Sequence, residues 1–362
     1  MLNLRTAAKT FLKVFATILF TFAITEALLA LFGYPDGISR LEDDLRVFDP
    51  VLLYRLRPDV TLNGKRTPFF IHPEIRTNHL GLRDREFADP KPPRDVRMLS
   101  LGDSYAFGWG VKAEESYTKR LEQALNAQGA GQRYETINAG IASYESWREL
   151  ELLKRLQPVL QPDLVICQVA DNDLGPDAVA GRHANSLFPP WALNLLRHSR
   201  LLTIASTLYE EGTEGVKELL ARARGVDTVA RSEDELWNYM HQLAATNDSA
   251  FLRNPPWVER IVENYGRMNE CAHGSFVCML LPNHYQIYAQ EYEDVANSIL
   301  ENKLRARGIH VLNLVGYLRR HNTLILCLAD THPNALGHQL IADTLVAYLT
   351  STGMIDSVQG TN

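Results

Sequence analysis

Five short apolar runs, each ending in small or polar residues and each neighboured by sequence of helical period, constrain this chain more than anything else in it. The runs lie at 98–101, 136–140, 164–170, 276–281 and 310–315. After the first, Tyr117, Leu121, Ala124 and Leu125 recur at helical spacing within 117–127, and 147–156, 257–271, 291–307 and 334–349 read as further helices. Strands that alternate with helices, with no hairpin signal joining them, pair in parallel and are covered on both faces. The polar residues that follow the strands then gather along one edge of the sheet, where α/β folds place their sites.

The segment 175–256 breaks this rhythm. It shows no strand signal, and its stretches 191–209, 216–224 and 233–243 read as helices separated by Gly, Pro and Asp, so it is expected to be a helical insertion or lid. At the N-terminus, 11–32 is mostly apolar and long enough to cross a hydrocarbon core of about 30 Å. Arg5, Lys9 and Lys13 cluster at its start, which places the N-terminus in the cytoplasm and the rest outside. A cleaved signal peptide would have a shorter apolar core and an Ala-x-Ala site, whereas Ala27 and Ala30 stand one residue too far apart, so an uncleaved anchor is preferred. Glu26 falls near the outer end of the span, where protonation or the interface accommodates it. Residues 35–93, rich in Pro, Asp and Arg, read as a stalk that packs irregularly on the domain, with 78–83 a turn and Arg83 and Arg85 solvated surface charges.

At 362 residues and 46% hydrophobic, the chain can bury one large domain. A net charge of -6 without a long basic run argues against nucleic acid as a partner. Cys167, Cys271, Cys278 and Cys327 have no metal-ligand spacing; Cys167 and Cys278 lie in strand runs and read as buried thiols, and a Cys271–Cys278 disulfide stays open. No His/Cys/Asp cluster has ligand spacing and 102–110 lacks a phosphate-loop Lys-Ser/Thr, so no metal and no organic cofactor are expected.

The first run stops at Gly102-Asp103-Ser104. A serine between a strand and a helix is held rigidly beside helix N–H groups, although alone it is an ordinary capped turn. Gly140 ends the second run, Asn172 follows the third, and Asp330-Thr331-His332-Pro333-Asn334 precedes the last helix. Acyl transfer needs a nucleophile, a base, a carboxylate to orient the base, and N–H donors for the oxyanion. Ser104, His332 and Asp330 can fill the first three roles; the Ser104 and Gly140 N–H groups and the Asn172 amide can fill the last. Taken singly, each has a plainer reading: a loop His, a turn Gly, a capping Asn. His284, after the fourth run, is a rival base ranked below His332, and Asp171 and Asp173 are rival orienters, with Asp103 structural.

Taken together, the four blocks Gly102-Asp103-Ser104, Asn138-Ala139-Gly140, Asn172-Asp173 and 330–334, in that order over about residues 97–349, resemble the SGNH/GDSL hydrolase superfamily. The leader and 78–83 are similar to a bacterial subgroup with one N-terminal span and an extracytoplasmic domain. The resemblance implies Ser104 as nucleophile, His332 as base, Asp330 as its partner, and Ser104, Gly140 and Asn172 as oxyanion donors. Two positions depart from the pattern: Ala170 stands where glycine is common, and Asp330 precedes His332 by two residues rather than three, a spacing also found in related polysaccharide acetyltransferases.

The expectation is therefore a flavodoxin-like three-layer α/β/α fold with a central parallel five-stranded sheet, divided as anchor 1–34, stalk 35–93 and hydrolase domain 94–352 with the helical insertion 175–256. The expected function is a serine esterase that hydrolyses or transfers an O-acyl group, acetyl above all, on an envelope carbohydrate or lipid. It would sit in the bacterial inner membrane with its C-terminal domain outside. A non-catalytic glycan-binding or scaffold member of the same fold is the alternative, with Trp109, Trp191, Trp237 and Trp257 either lining a sugar cleft or filling the core.

Overall fold

The computed structural model describes residues 4–31, 45–63, 73–129, 131–175, 199–201, 233–289, 291–321 and 332–355, which fall into two units. One unit contains helix α1 (Leu4–Leu31) and residues 199–201. Within α1, Lys9–Leu31 has a mean hydropathy of 2.1 and an exposed apolar surface, so it is long and apolar enough to be a membrane span or a signal sequence. Glu26 on this helix accepts the N–H groups of Arg200 (3.1 Å) and Leu201 (2.9 Å) and the Ser199 hydroxyl. Its carboxylate is thus held by donors from the chain itself.

The second unit opens with two antiparallel hairpins, β1 (Arg46–Asp49) with β2 (Leu53–Leu56) and β3 (Thr61–Leu62) with β4 (Ile75–Arg76). Asp49 shapes the first turn by accepting the N–H groups of Val51 and Leu52, both at 2.9 Å, and receives both ends of the Arg155 guanidinium at 2.6 and 2.9 Å. Asp49 thereby ties the first hairpin to the helix that carries Arg155. Arg83, expected to be a solvated charge, is 1% exposed and lies inside the domain.

Five strands form the central sheet: β5 (Asp95–Leu101), β6 (Arg133–Asn138), β7 (Leu164–Val169), β8 (Phe276–Leu280) and β9 (His310–Asn313). They run in parallel in the order β6-β5-β7-β8-β9, the flavodoxin-like order. Every residue of β5, β7 and β8 is buried, as a sheet covered on both faces requires. One face packs Val96, Met98, Ile166 and Met279 against Leu121 and Leu125 of α3 and Ile341, Leu345 and Leu349 of α10, where α3 is Tyr117–Ala127 and α10 is Ala335–Ser351. Helices α4 (Ser146–Leu160) and α6 (Pro256–Cys271) belong to the opposite layer with their buried Leu153, Leu156, Ile261 and Tyr265.

Five further helices lie among the described residues: α2 (Ser104–Phe107), α5 (Glu233–Arg253), α7 (His284–Tyr288), α8 (Val295–Ala306) and the short α9 (Val315–Leu318). Helix α5 runs on through Thr246-Asn247-Asp248-Ser249, polar residues that read locally as a stop. Tertiary bonds use them instead: Asp248 accepts the Ala296 N–H at 2.7 Å and Asn247 reaches the Asp171 carbonyl at 3.4 Å. The expected helices at 191–209 and 216–224 lie outside the described residues. Cys167, Cys271 and Cys278 are all free thiols, so no Cys271–Cys278 bridge exists here.

Candidate active site

The order of the sheet reverses at β5, because the chain leaves β5 for β6 on one side and returns to β7 on the other. Crevices open at such switch points, at the carboxyl ends of the strands. Here β5 gives way to Gly102, whose φ is +145° and whose missing Cβ would sit 2.5 Å from Gln168 Oε1. Only glycine turns the chain this tightly. Asp103, fully buried, then caps α2: its Oδ1 accepts the Tyr105 N–H at 2.9 Å, and its own N–H donates to Gln168 Oε1 at 3.2 Å. Ser104 is thereby the first residue of a one-turn helix, half-buried, in the turn where N–H groups have no intrahelical acceptor.

His332 arrives from the other end of the chain, and its Nε2 lies 2.7 Å from Ser104 Oγ across 228 positions of sequence. It is placed by α10, which starts three residues later and is capped by Asn334, whose Oδ1 accepts the Gly337 N–H at 3.0 Å. Tyr105 and Trp109 flank the imidazole, with ring centroids at 5.0 and 6.2 Å. A hydroxyl at this distance from an imidazole nitrogen can pass its proton as it attacks. The rival His284 packs edge-on against Trp237 and Tyr288.

Gly140 abuts the helix that Ser104 begins so closely that a Cβ would lie 2.3 Å from Phe107 N. Its N–H donates to Asn138 Oδ1 at 2.9 Å. Asn172 sits in the 3-10 turn Asp171–Asp173 after β7, beside β5, and gives one amide hydrogen to the Tyr144 carbonyl at 2.8 Å. A second amide hydrogen remains on that nitrogen. Asp330 lies outside the described residues.

A family model for the GDSL-like lipase/acylhydrolase family matches residues 100–340, the span that carries Ser104, Gly140, Asn172 and His332. The chain belongs to that family. Its members act on ester bonds, so this GDSL-like acylhydrolase is an ester-bond hydrolase. Among solved structures it is similar to TesA (13% identity, TM-score 0.41, covering 70% of this chain and 98% of that one). It is also similar to the psychrotrophic esterase EstA from a Pseudoalteromonas species (16%, 0.40, 71% and 98%) and to the acetyl xylan esterase AlAXEase (14%, 0.39, 70% and 98%). No curated protein sequence matches the chain.

Around Ser104 this GDSL-like acylhydrolase buries the acids Asp103, Glu149, Asp171 and Asp173. Burial pushes Asp103 up to about 6 against the pull of the Tyr105 N–H and of His332, and pushes Asp171 up to about 7 against the side chains of Asn283 and Asn247. Burial also raises Glu149 and Asp173, which lie close together beneath the site, and the negative charge of Asp173 adds to the rise at Glu149. Asp173 Oδ2 accepts the Ala170 N–H at 3.0 Å, and Glu149 Oε2 accepts from Cys167 Sγ at 3.2 Å. Asp103 and Asp173 thereby cap the turns on which Ser104 and Asn172 stand. Gln168 and Tyr105 escape a reading of motifs alone. Gln168 leaves one local signal, a lone polar residue within the apolar run Leu164–Val169; Tyr105 leaves none.

Proposed function

We propose that this protein cleaves, or passes to another hydroxyl, a short O-acyl group carried by a carbohydrate or lipid of the bacterial envelope. The observation that carries the reading is the 2.7 Å approach of His332 Nε2 to Ser104 Oγ. Ser104 Oγ attacks the acyl carbon while its proton passes to His332 Nε2, and Asp330 orients the imidazole. The oxyanion is received by the Ser104 and Gly140 N–H groups and the Asn172 amide. The ester C–O bond then breaks, the imidazolium returns the proton to the leaving alcohol, and water or a second hydroxyl takes the acyl group from Ser104.

An envelope substrate agrees with α1 serving as a single-pass anchor in the inner membrane, with the basic residues of the leader on the cytoplasmic side.

The test is turnover of p-nitrophenyl acetate by the full-length protein in detergent, compared with Ser104→Ala and His332→Ala. Each variant should lose at least roughly 10³-fold in kcat, and a fluorophosphonate adduct should map to Ser104. An unchanged rate in Ser104→Ala would end the reading. Addition of a sugar alcohol as acceptor separates hydrolysis from transfer by the products formed.

A further inference from the structure

Two consecutive residues outside the acyl-transfer machinery reach both sides of it. Arg83 donates through Nη1 to the carbonyls of Phe107 (2.8 Å) and Gly108 (2.6 Å) and through Nη2 to that of Val111 (2.8 Å). Its described hydrogen-bond partners are all main-chain carbonyls, and its guanidinium lies 4.7 Å from the Phe107 ring centroid. The first two of those carbonyls lie at the C-terminal end of the one-turn helix that Ser104 begins. Carbonyls there have no helical partner and carry the negative end of the peptide dipoles. A planar guanidinium spreads its five N–H donors over a fork wide enough to meet three separated oxygens, whereas an ammonium offers its three donors from a single point.

Asp84 faces the other way. Its Oδ2 accepts the Asn138 N–H at 2.7 Å and pairs with the Lys119 ammonium at 2.6 Å, while its Oδ1 accepts the Arg85 N–H at 2.8 Å. Asn138 in turn holds the Gly140 N–H, and Gly140 lies against the backbone of Ala106 and Phe107. The pair therefore grips the two chain segments that meet beside Ser104. The turn that delivers them is built by Asn78, whose Oδ1 accepts the N–H groups of Leu80 (3.1 Å) and Leu82 (3.0 Å) and whose Nδ2 donates to the Arg85 carbonyl at 3.2 Å.

We propose that Arg83 and Asp84 are positioning residues for acyl transfer, Arg83 fixing the nucleophile helix from its far end and Asp84 fixing the 138–140 turn against it. The catalytic unit then includes the segment before the sheet. This inference rests on Ser104 and His332 as the reacting pair.

The test uses the full-length protein in detergent with Arg83→Lys, Asp84→Asn, Asp84→Ala, Ser104→Ala and, as a control on the same turn, Arg85→Gln, whose parent side chain pairs with Glu122 on the surface. Active sites are counted by fluorophosphonate labelling, so that kcat is expressed per labelled site. Arg83→Lys and Asp84→Ala should each lose roughly 10²-fold in kcat per site, with KM for p-nitrophenyl acetate within about threefold. Asp84→Asn, which keeps an acceptor for the Asn138 N–H, should recover most of the loss, and Arg85→Gln should match wild type. Wild-type kcat per site in Asp84→Ala, or a fall in labelled sites with kcat per site unchanged, overturns the proposal. Should Arg83→Lys fail to fold, the Asp84→Ala and Asp84→Asn pair decides alone. Activity surviving in Ser104→Ala would instead strike the reacting pair itself.

Discussion

The Ser104 hydroxyl owes its place to the residue types on either side of it. Gly102 admits the turn and the Asp103 carboxylate accepts the Tyr105 N–H, while Gly140 lets a second segment come within contact of the same turn. A methyl at Gly140 has no room, so Gly140→Ala should cost about 1–3 kcal/mol of stability and lower kcat, read by thermal unfolding and by p-nitrophenyl acetate turnover. Asn172→Ala removes a side-chain donor, the proposed oxyanion amide, together with its bond to the Tyr144 carbonyl. Its kcat should fall by roughly 10²–10³ with KM little changed. At this scale the sequence points to Ser104, Gly140, Asn172 and His332 only jointly, as blocks in a fixed order, since each taken singly has a plainer reading. It does not give the roles of Tyr105 and Arg83, because these come from contacts with residues far along the chain or with bare carbonyls, which leave no pattern.

At the scale of the element, the last helix matters because it fixes His332. Asn334 caps that helix, and the imidazole stands two residues upstream of the cap. Asn334→Ala should cost about 1 kcal/mol and reduce turnover, whereas Asn334→Asp should preserve both, as seen in melting temperature and kcat. Strands and most helices follow from apolar period, and their observed limits lie within a few residues of it. Two elements did not follow. Helix α5 continues through a polar stretch whose side chains bond to Asp171 and Ala296, and the described residues of the stretch before the sheet, so rich in Pro and Arg, are tied into the domain by buried polar bonds as well as by Leu52, Leu56, Ile75 and Leu82. Periodicity reports apolar faces; it is silent where a charged group is the one that packs.

The molecule as a whole should show two opposed responses to pH. His338 is fully buried and its Nδ1 accepts the Tyr117 N–H at 3.1 Å; burial lowers its pKa to about 3. Between about 3 and the ordinary imidazole value near 6.5, the unfolded chain binds a proton that the folded chain refuses, so this group's share of stability is lost on acidification. Asp103 and Asp171 act in the other sense. Raised to about 6 and about 7, they keep protons that an unfolded aspartate releases near pH 4, and their share of stability is lost as pH rises through those values. Unfolding curves from pH 4 to 8 should therefore flatten on the acid side in His338→Gln and on the neutral side in Asp171→Asn.

The Gly140 N–H is already occupied, 2.9 Å from a neutral amide oxygen of its own turn. An ester carbonyl, also neutral, competes with that oxygen on even terms and gains little by displacing it. A tetrahedral adduct bearing a full negative charge is a far stronger acceptor and would win the hydrogen. In the oxyanion role proposed for Gly140, the turn would therefore be a latch that yields to the activated species and stays shut to the resting ester, its hydrogen bond lowering the barrier rather than the ground state.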